Sequence, residues 1–204
     1  MKLADARRDP YRKLAKENSY RSRAVYKLSQ LNKSHHILKQ GMKIVDIGAA
    51  PGGWLQFASK IAGNKGKVIG IDVKEIEPIS NVIIINGNVE DEQTVTLLSK
   101  YLEGKADIVL SDLAPNVSGL WEMDHLKQID LTMKAVEITK KILKVNGNAL
   151  YKVFQGEATP EFITYVKSIF SAVHITKPDA SRKQSSEIYL LCKQFNPSIG
   201  WETS

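Results

Sequence analysis

Asp46-Ile47-Gly48-Ala49-Ala50-Pro51-Gly52-Gly53-Trp54 decides how the rest of the chain is read. The β-branched run Lys43–Ile47 leads into it, and a helical pattern over Gly53–Ala62 leads out. A glycine-rich turn between a strand and a helix lets a ligand approach the backbone at a helix N-terminus. Outward from this turn, short β-branched runs alternate with helical stretches. The spacing predicts strands at Lys67–Asp72, Val82–Asn86, Ala106–Ser111, Gly147–Phe154, Ala172–Lys177 and Glu187–Cys192. Helices are expected at Glu90–Leu102, Leu126–Leu143 and Pro160–Phe170, with Asn146-Gly147 stopping the longest. Strands alternating with helices imply a mostly parallel sheet covered on both faces. Only polar and turn-type residues separate Lys177 from Glu187, so the last two strands must form an antiparallel hairpin. The expectation is one α/β domain of Rossmann-like type. Its sheet has seven strands, the last of them antiparallel.

Asp72 closes the second strand nineteen residues after Gly53, where a carboxylate can accept hydrogen bonds from ribose hydroxyls. Turn and carboxylate together point to an adenosine-type cofactor over the carboxyl edge of the sheet. A pyrophosphate needs backbone N–H groups, but Ala50 replaces the fingerprint glycine and Pro51 has no N–H. The loop therefore suits a phosphate-free ligand such as S-adenosylmethionine better than a dinucleotide. A reversed last strand is also what methyltransferases of this architecture carry, an argument by fold-level analogy.

The 204 residues contain 29 Lys and Arg against 22 Asp and Glu, and the excess is unevenly placed. Residues 1–43 hold twelve basic and three acidic side chains, while the remainder is slightly acidic. This leader interleaves Arg7, Arg8, Arg12, Lys13, Lys16, Arg21 and Arg23 with Tyr11 and Tyr20. Such a pattern suits a polyanion, since cations displace counterions and tyrosines stack on bases. A solvated tail is the plainer alternative. Within the leader, Ser22–His36 reads as a helix with Ala24, Leu28 and Leu31 on one stripe. The division expected is a basic helical leader over 1–40, a catalytic domain over 41–195 and a tail over 196–204. No apolar run reaches the ~18 residues of a membrane span, and the N-terminus lacks the apolar core of a secretory signal. One cysteine, Cys192, excludes an internal disulfide framework, and four scattered histidines give no metal cluster. A cytoplasmic monomer is expected.

The fourth strand ends in Ser111-Asp112-Leu113-Ala114-Pro115-Asn116-Val117-Ser118-Gly119. Together with Asp46–Trp54, this segment resembles the FtsJ/RrmJ family of S-adenosylmethionine-dependent RNA 2′-O-ribose methyltransferases. The resemblance runs from about Tyr20 to Cys192 and is strongest to enzymes of large-subunit ribosomal RNA. It implies a Lys-Asp-Lys-Glu active site, for which this chain supplies Lys27, Asp112, Lys152 and Glu187. It also implies cofactor contacts at Gly52 and Trp54, at Asp72 on the ribose, at position 88 on the adenine, and at Asp112 near the methionine end. Position 88 departs from the pattern, with Asn in place of the expected Asp. The amide oxygen still accepts a hydrogen bond, without charge. The implied reaction is methyl transfer to a 2′-hydroxyl, that of a uridine, with RNA held by the leader and the sheet edge.

These residues also make chemical sense without the resemblance. A lysine inside an apolar strand, as at Lys152, is costly unless paired. A ribose hydroxyl is a poor nucleophile, and a lysine can remove its proton only when its own pKa falls far below the usual ~10.4. Asp112 and Glu187 pull the other way by favouring the ammonium, so orientation is their expected role, with Glu187 fixing Lys152. Plainer readings stand beside others: Trp121 and His125 border the cleft or cover the sheet edge, and Cys192 packs. Transfer RNA and messenger-RNA cap enzymes share the tetrad. An NAD-dependent oxidoreductase would share the glycine turn and Asp72, and a non-catalytic RNA-binding module would share the leader.

Overall fold

The computed structural model describes residues 9–182 and 184–197; Arg7 and Arg8 of the leader, Lys183 and residues 198–204 lie outside them. The elements in chain order are α1 (Pro10–Glu17), α2 (Val25–His35), β1 (Lys43–Ile47), α3 (Gly53–Ala62), β2 (Lys67–Asp72), β3 (Val82–Asn86), α4 (Glu92–Leu102), β4 (Ala106–Ser111), α5 (Trp121–Ile142), β5 (Leu143–Phe154), α6 (Thr159–Lys167), β6 (Phe170–Thr176) and β7 (Glu187–Phe195). The strands form one sheet in the order β3-β2-β1-β4-β5-β7-β6. The first five in that order are parallel, and β7 runs antiparallel to both β5 and β6. This is the fold of S-adenosylmethionine-dependent methyltransferases.

Two apolar layers cover the sheet. On one face, α4, α5 and α6 bury Leu98, Val136 and Phe162 with Val45 and Val109. On the other, Leu28 and Leu31 of α2 join Leu55 and Ala58 of α3 over Ile44 and Ile108. The C-terminal half of the leader is thus part of the core, because its apolar stripe has a sheet face to cover. α1 is capped by Asp9, whose carboxylate accepts from the N–H groups of Tyr11 and Arg12.

The central helix differs most from expectation: α5 begins at Trp121, five residues ahead of the predicted Leu126. Apolar periodicity starts only at Leu126. The first turn is instead held by Asp124, which accepts from the Ser118 N–H and hydroxyl and the Gly119 N–H. These bonds keep the Asp124 carboxyl below its usual pKa range. At the other end β5 starts at Leu143 ahead of the predicted Gly147, through a register shift against β4.

Candidate active site

Parallel strands end their carboxyl termini on one edge, and β1, β2 and β4 deliver Asp46, Asp72 and Asp112 to it. A cleft of about 420 Å³ opens there, lined by Gly48, Ala50, Asp72, Asn88, Asp112 and Leu113 among others. Gly48 has φ +78°, and a Cβ there would lie 2.4 Å from the Leu113 side chain. Glycine is required for backbone and wall to meet this closely. Asp72 spans the turn: one oxygen accepts from the Ala50 N–H at 2.9 Å, the other from the Lys74 N–H at 2.8 Å. Its carboxylate is thereby fixed at the rim of the cleft. Asn88 also lines the cleft, with its amide oxygen accepting from the Glu90 N–H and its amide nitrogen donating to the Glu90 carboxylate.

Gly52 and Trp54 are placed differently from Asp72. Gly52 has φ +102° and backs onto Arg21, Ile76 and Ile79. Trp54 is buried, donates from Nε1 to the Ala24 carbonyl at 2.8 Å, and lies 6.0 Å from the Tyr189 ring. It ties the leader to the glycine turn. Both Gly53 and Trp54 border a second, smaller cavity of about 120 Å³ with Ser22, Ala49, Asp46 and Asp112.

Asp46 was not singled out in the sequence. Both its carboxylate oxygens are buried without a hydrogen-bond partner among the described residues. Burial, reinforced by Asp112 and Asp72, pushes its carboxyl well above the usual range. A buried carboxyl group facing two further carboxylates is a place for a cationic ligand group. The cleft fits S-adenosylmethionine: a ribose acceptor at Asp72, an acceptor at Asn88 and a turn without phosphate donors.

The four tetrad candidates converge from α2, β4, β5 and β7. Lys152 is 6% exposed, donates to the Asp112 carbonyl at 2.7 Å and lies 3.2 Å from its carboxylate. Its own carbonyl accepts from Gln128 at 3.0 Å and Thr132 at 3.2 Å, two fully buried side chains of α5. Gln128 also donates to the Leu113 carbonyl, so one amide holds the ends of β4 and β5 together. Glu187 does not pair with Lys152 as expected; its hydrogen-bonded ion pair is with Lys27 of α2. Burial raises the Glu187 carboxyl, but Lys27, and then Lys152 and Tyr189, outweigh it and hold it below its usual range.

Tyr189 links the two pairs, and the sequence reading missed it. Its hydroxyl lies 2.9 Å from Asp112 and 2.8 Å from Glu187, and the ring is fully buried. Burial between two carboxylates pushes the phenol well above its usual pKa, so it remains a donor. Lys152, Asp112, Tyr189, Glu187 and Lys27 therefore form one continuous polar chain. The signal was present in β7, since Glu187 and Tyr189 alternate onto the same face.

Comparisons with known proteins agree with this arrangement. The model of the FtsJ-like methyltransferase family matches residues 20–195. A ribosomal RNA large subunit methyltransferase E from Nitrosopumilus maritimus is 51% identical over 96% of this chain and 99% of its own. Its counterpart from Cenarchaeum symbiosum is 46% identical with the same coverage. A crystal structure of a Plasmodium falciparum protein described as a ribosomal RNA methyltransferase superposes with TM-score 0.79 at 36% identity, covering 86% of this chain and 98% of that one. The oxidoreductase alternative drops out, because turn, reversed strand and sequence all lead to one place: the chain belongs to the FtsJ-like methyltransferase family and is an S-adenosylmethionine-dependent methyltransferase.

Proposed function

We propose that the protein methylates the 2′-hydroxyl of a ribose, that of a uridine, in large-subunit ribosomal RNA. The reading is carried by a buried lysine, Lys152, held beside Asp112, which itself lines the cofactor cleft. Near-full-length similarity to proteins named for this RNA supports the substrate.

When bound, S-adenosylmethionine supplies a methyl group on a positively charged sulfur, open to nucleophilic attack. Asp72 would hold its ribose, Asn88 its adenine and Asp112 its methionine end, with Gly52 and Trp54 shaping the turn. Lys152 is placed as the general base that takes the proton of the attacking ribose hydroxyl. Asp112 orients that amine through its carbonyl and carboxylate. Lys27 and Glu187 form the far wall, coupled to Asp112 by the Tyr189 hydroxyl. Burial keeps bulk water from competing for the proton.

RNA is proposed to approach along the leader, residues 1–40, and the adjoining sheet edge of the domain 41–195, with 196–204 a tail. The cations of the leader divide. Arg21 donates to the Glu77 and Pro78 carbonyls, Arg23 binds Asp9 and the Ala180 carbonyl, and Lys27 binds Glu187. Arg12, Lys13 and Lys16 on α1 are exposed and carry the polyanion contact. No helix among the described residues is long and apolar enough to cross a membrane, and a cytoplasmic monomer is proposed. Tritiated methyl transfer to total RNA, followed by nucleoside mapping, tests the reading. Label in 2′-O-methyluridine of large-subunit RNA is the expected result; label confined to transfer RNA or to a base overturns it.

A further inference from the structure

Beyond the tetrad, the surface carries an aromatic group that the reaction does not use. Trp121 opens α5 with 48% of its surface exposed, although its indole stacks on two rings beneath it. The Phe154 ring lies 5.9 Å away at 28°, and the His125 ring 6.3 Å away at 19°. His125 is itself buried and fixed, since the Ala158 N–H donates to its Nε2 at 3.1 Å. The indole is thus a rigid plate on a packed base. Val117, Leu120, Met123 and Leu126 of the same loop and helix start are also exposed.

Position says what the plate is for. Phe154 and Lys152 lie on one face of β5, two residues and so roughly 7 Å apart. Phe154 also pairs with Glu187 across the antiparallel ladder. The Trp121 ring therefore lies one aromatic contact beyond the residues proposed to receive the target ribose. A further cleft, lined by Arg23, Lys27, Arg182 and Glu187, also reaches the tetrad, with its cations paired to Asp9 and Glu187. A strand whose ribose sits at Lys152 can bring a neighbouring base over Trp121, one ring contact beyond Phe154. Exposed indoles beside cationic grooves bind unpaired bases by stacking.

We propose that Trp121 is a stacking platform for an unpaired nucleobase of the substrate RNA, next to the nucleotide that is methylated. The inference rests on the RNA reading above. It adds a requirement that this part of the RNA be single-stranded, since a base inside a helix offers no free face.

The test compares wild type, Trp121→Ala, Trp121→Phe and Trp121→Leu for binding of single-stranded oligouridylate and for methyl transfer to large-subunit RNA. The alanine variant is expected to weaken oligouridylate binding and raise KM for RNA about 5- to 100-fold, with phenylalanine restoring affinity to within about threefold of wild type. Leucine should fail like alanine, since it keeps apolar area but offers no π-face. Cofactor affinity should stay at the wild-type value in all three, and any fall in thermal midpoint should be no larger for leucine than for alanine. Wild-type RNA affinity in the alanine or leucine variant overturns the platform. So does self-association of the wild type that Trp121→Ala abolishes, which would make the patch a contact between copies. If wild type methylates no RNA, the functional reading fails, while the oligouridylate series still decides whether the indole binds bases.

Discussion

The cofactor cleft and the tetrad occupy the same sheet edge but are held by different kinds of contact. On the cleft side the bonds join neighbouring loops: Asp72 to Ala50 and Lys74, Asn88 to Glu90. On the tetrad side they join residues far apart in sequence, 40 for Lys152 to Asp112, 77 for Tyr189 to Asp112 and 160 for Lys27 to Glu187. The first region is open and ready to change ligands. The second is largely buried, and its ion pairs and the Tyr189–Asp112 bond each join two different elements. Binding and transfer should therefore fail separately when either region is damaged.

The sharpest separation is expected at Lys152. Lys152→Ala should lower methyl transfer by about 10²–10⁴-fold, the usual loss on removing a general base. Cofactor affinity should stay close to wild type in calorimetry, because the cleft keeps its own bonds. Lys152→Arg should be nearly as damaging, since a guanidinium holds its proton near neutral pH. An arginine variant with near-wild-type turnover would make position 152 a fixed cation, and the proton would then leave by another route.

Asp72→Ala should produce the reverse pattern. Removing a charged acceptor costs roughly 1.5–3 kcal/mol, read as a weaker cofactor Kd. The same change frees the Ala50 and Lys74 N–H groups that the carboxylate now holds. Turnover at saturating cofactor should recover much of its wild-type value. A loss that persists at saturation would mean the turn also positions the tetrad, and the two regions would not be separate.

Asp46 lies where the regions meet, and its effect should be on stability. Its folded carboxyl keeps its proton above the ordinary carboxyl range, whereas the unfolded chain loses it there. The folded state then binds more protons, so this group makes stability fall as pH rises through and above that range. Asp46→Asn should remove that contribution. Its thermal midpoint relative to wild type should climb between about pH 4 and neutrality, starting near the ordinary Asp pKa of ~3.9. A constant difference across that window would show that Asp46 is not protonated in the folded chain.

The same contrast explains what the sequence made legible. The turn, Asp72 and the succession of strands and helices follow from local spacing and hydrophobic period, and the hairpin of β6 and β7 follows from the short segment before Glu187. The spatial order of the strands came only from the structure. The early start of α5 was hidden, because Asp124 within its first turns is tied to the preceding loop through the Ser118 and Gly119 N–H groups, while Trp121 and Met123 break the apolar period. The partners of Glu187 were hidden for a deeper reason. Only the closed fold brings α2 against β7, so the family resemblance could name Lys27 and Glu187 but not pair them. Tyr189 and Asp46 look like ordinary strand residues until burial removes water from their polar atoms.

The smallest effect is expected at position 88, within the open region. Asn88→Asp replaces a neutral acceptor by a charged one, which strengthens a hydrogen bond from an adenine amino group. The Glu90 N–H can still donate to it, so the loop keeps its shape. Against this, the bond from the Asn88 amide to the Glu90 carboxylate is lost and two carboxylates face each other. Lys134, paired with Glu90 at 2.9 Å, absorbs part of that repulsion, and salt screens exposed charges further. The cofactor Kd should therefore change by no more than about threefold, towards tighter binding, with the gain larger as salt rises through the range where the Debye length falls to about 10 Å. A tenfold loss, roughly 1.4 kcal/mol, would show that negative charge at this rim is harmful or that position 88 does not face the adenine. In either case Asp72 would be left as the charged contact that defines the cleft.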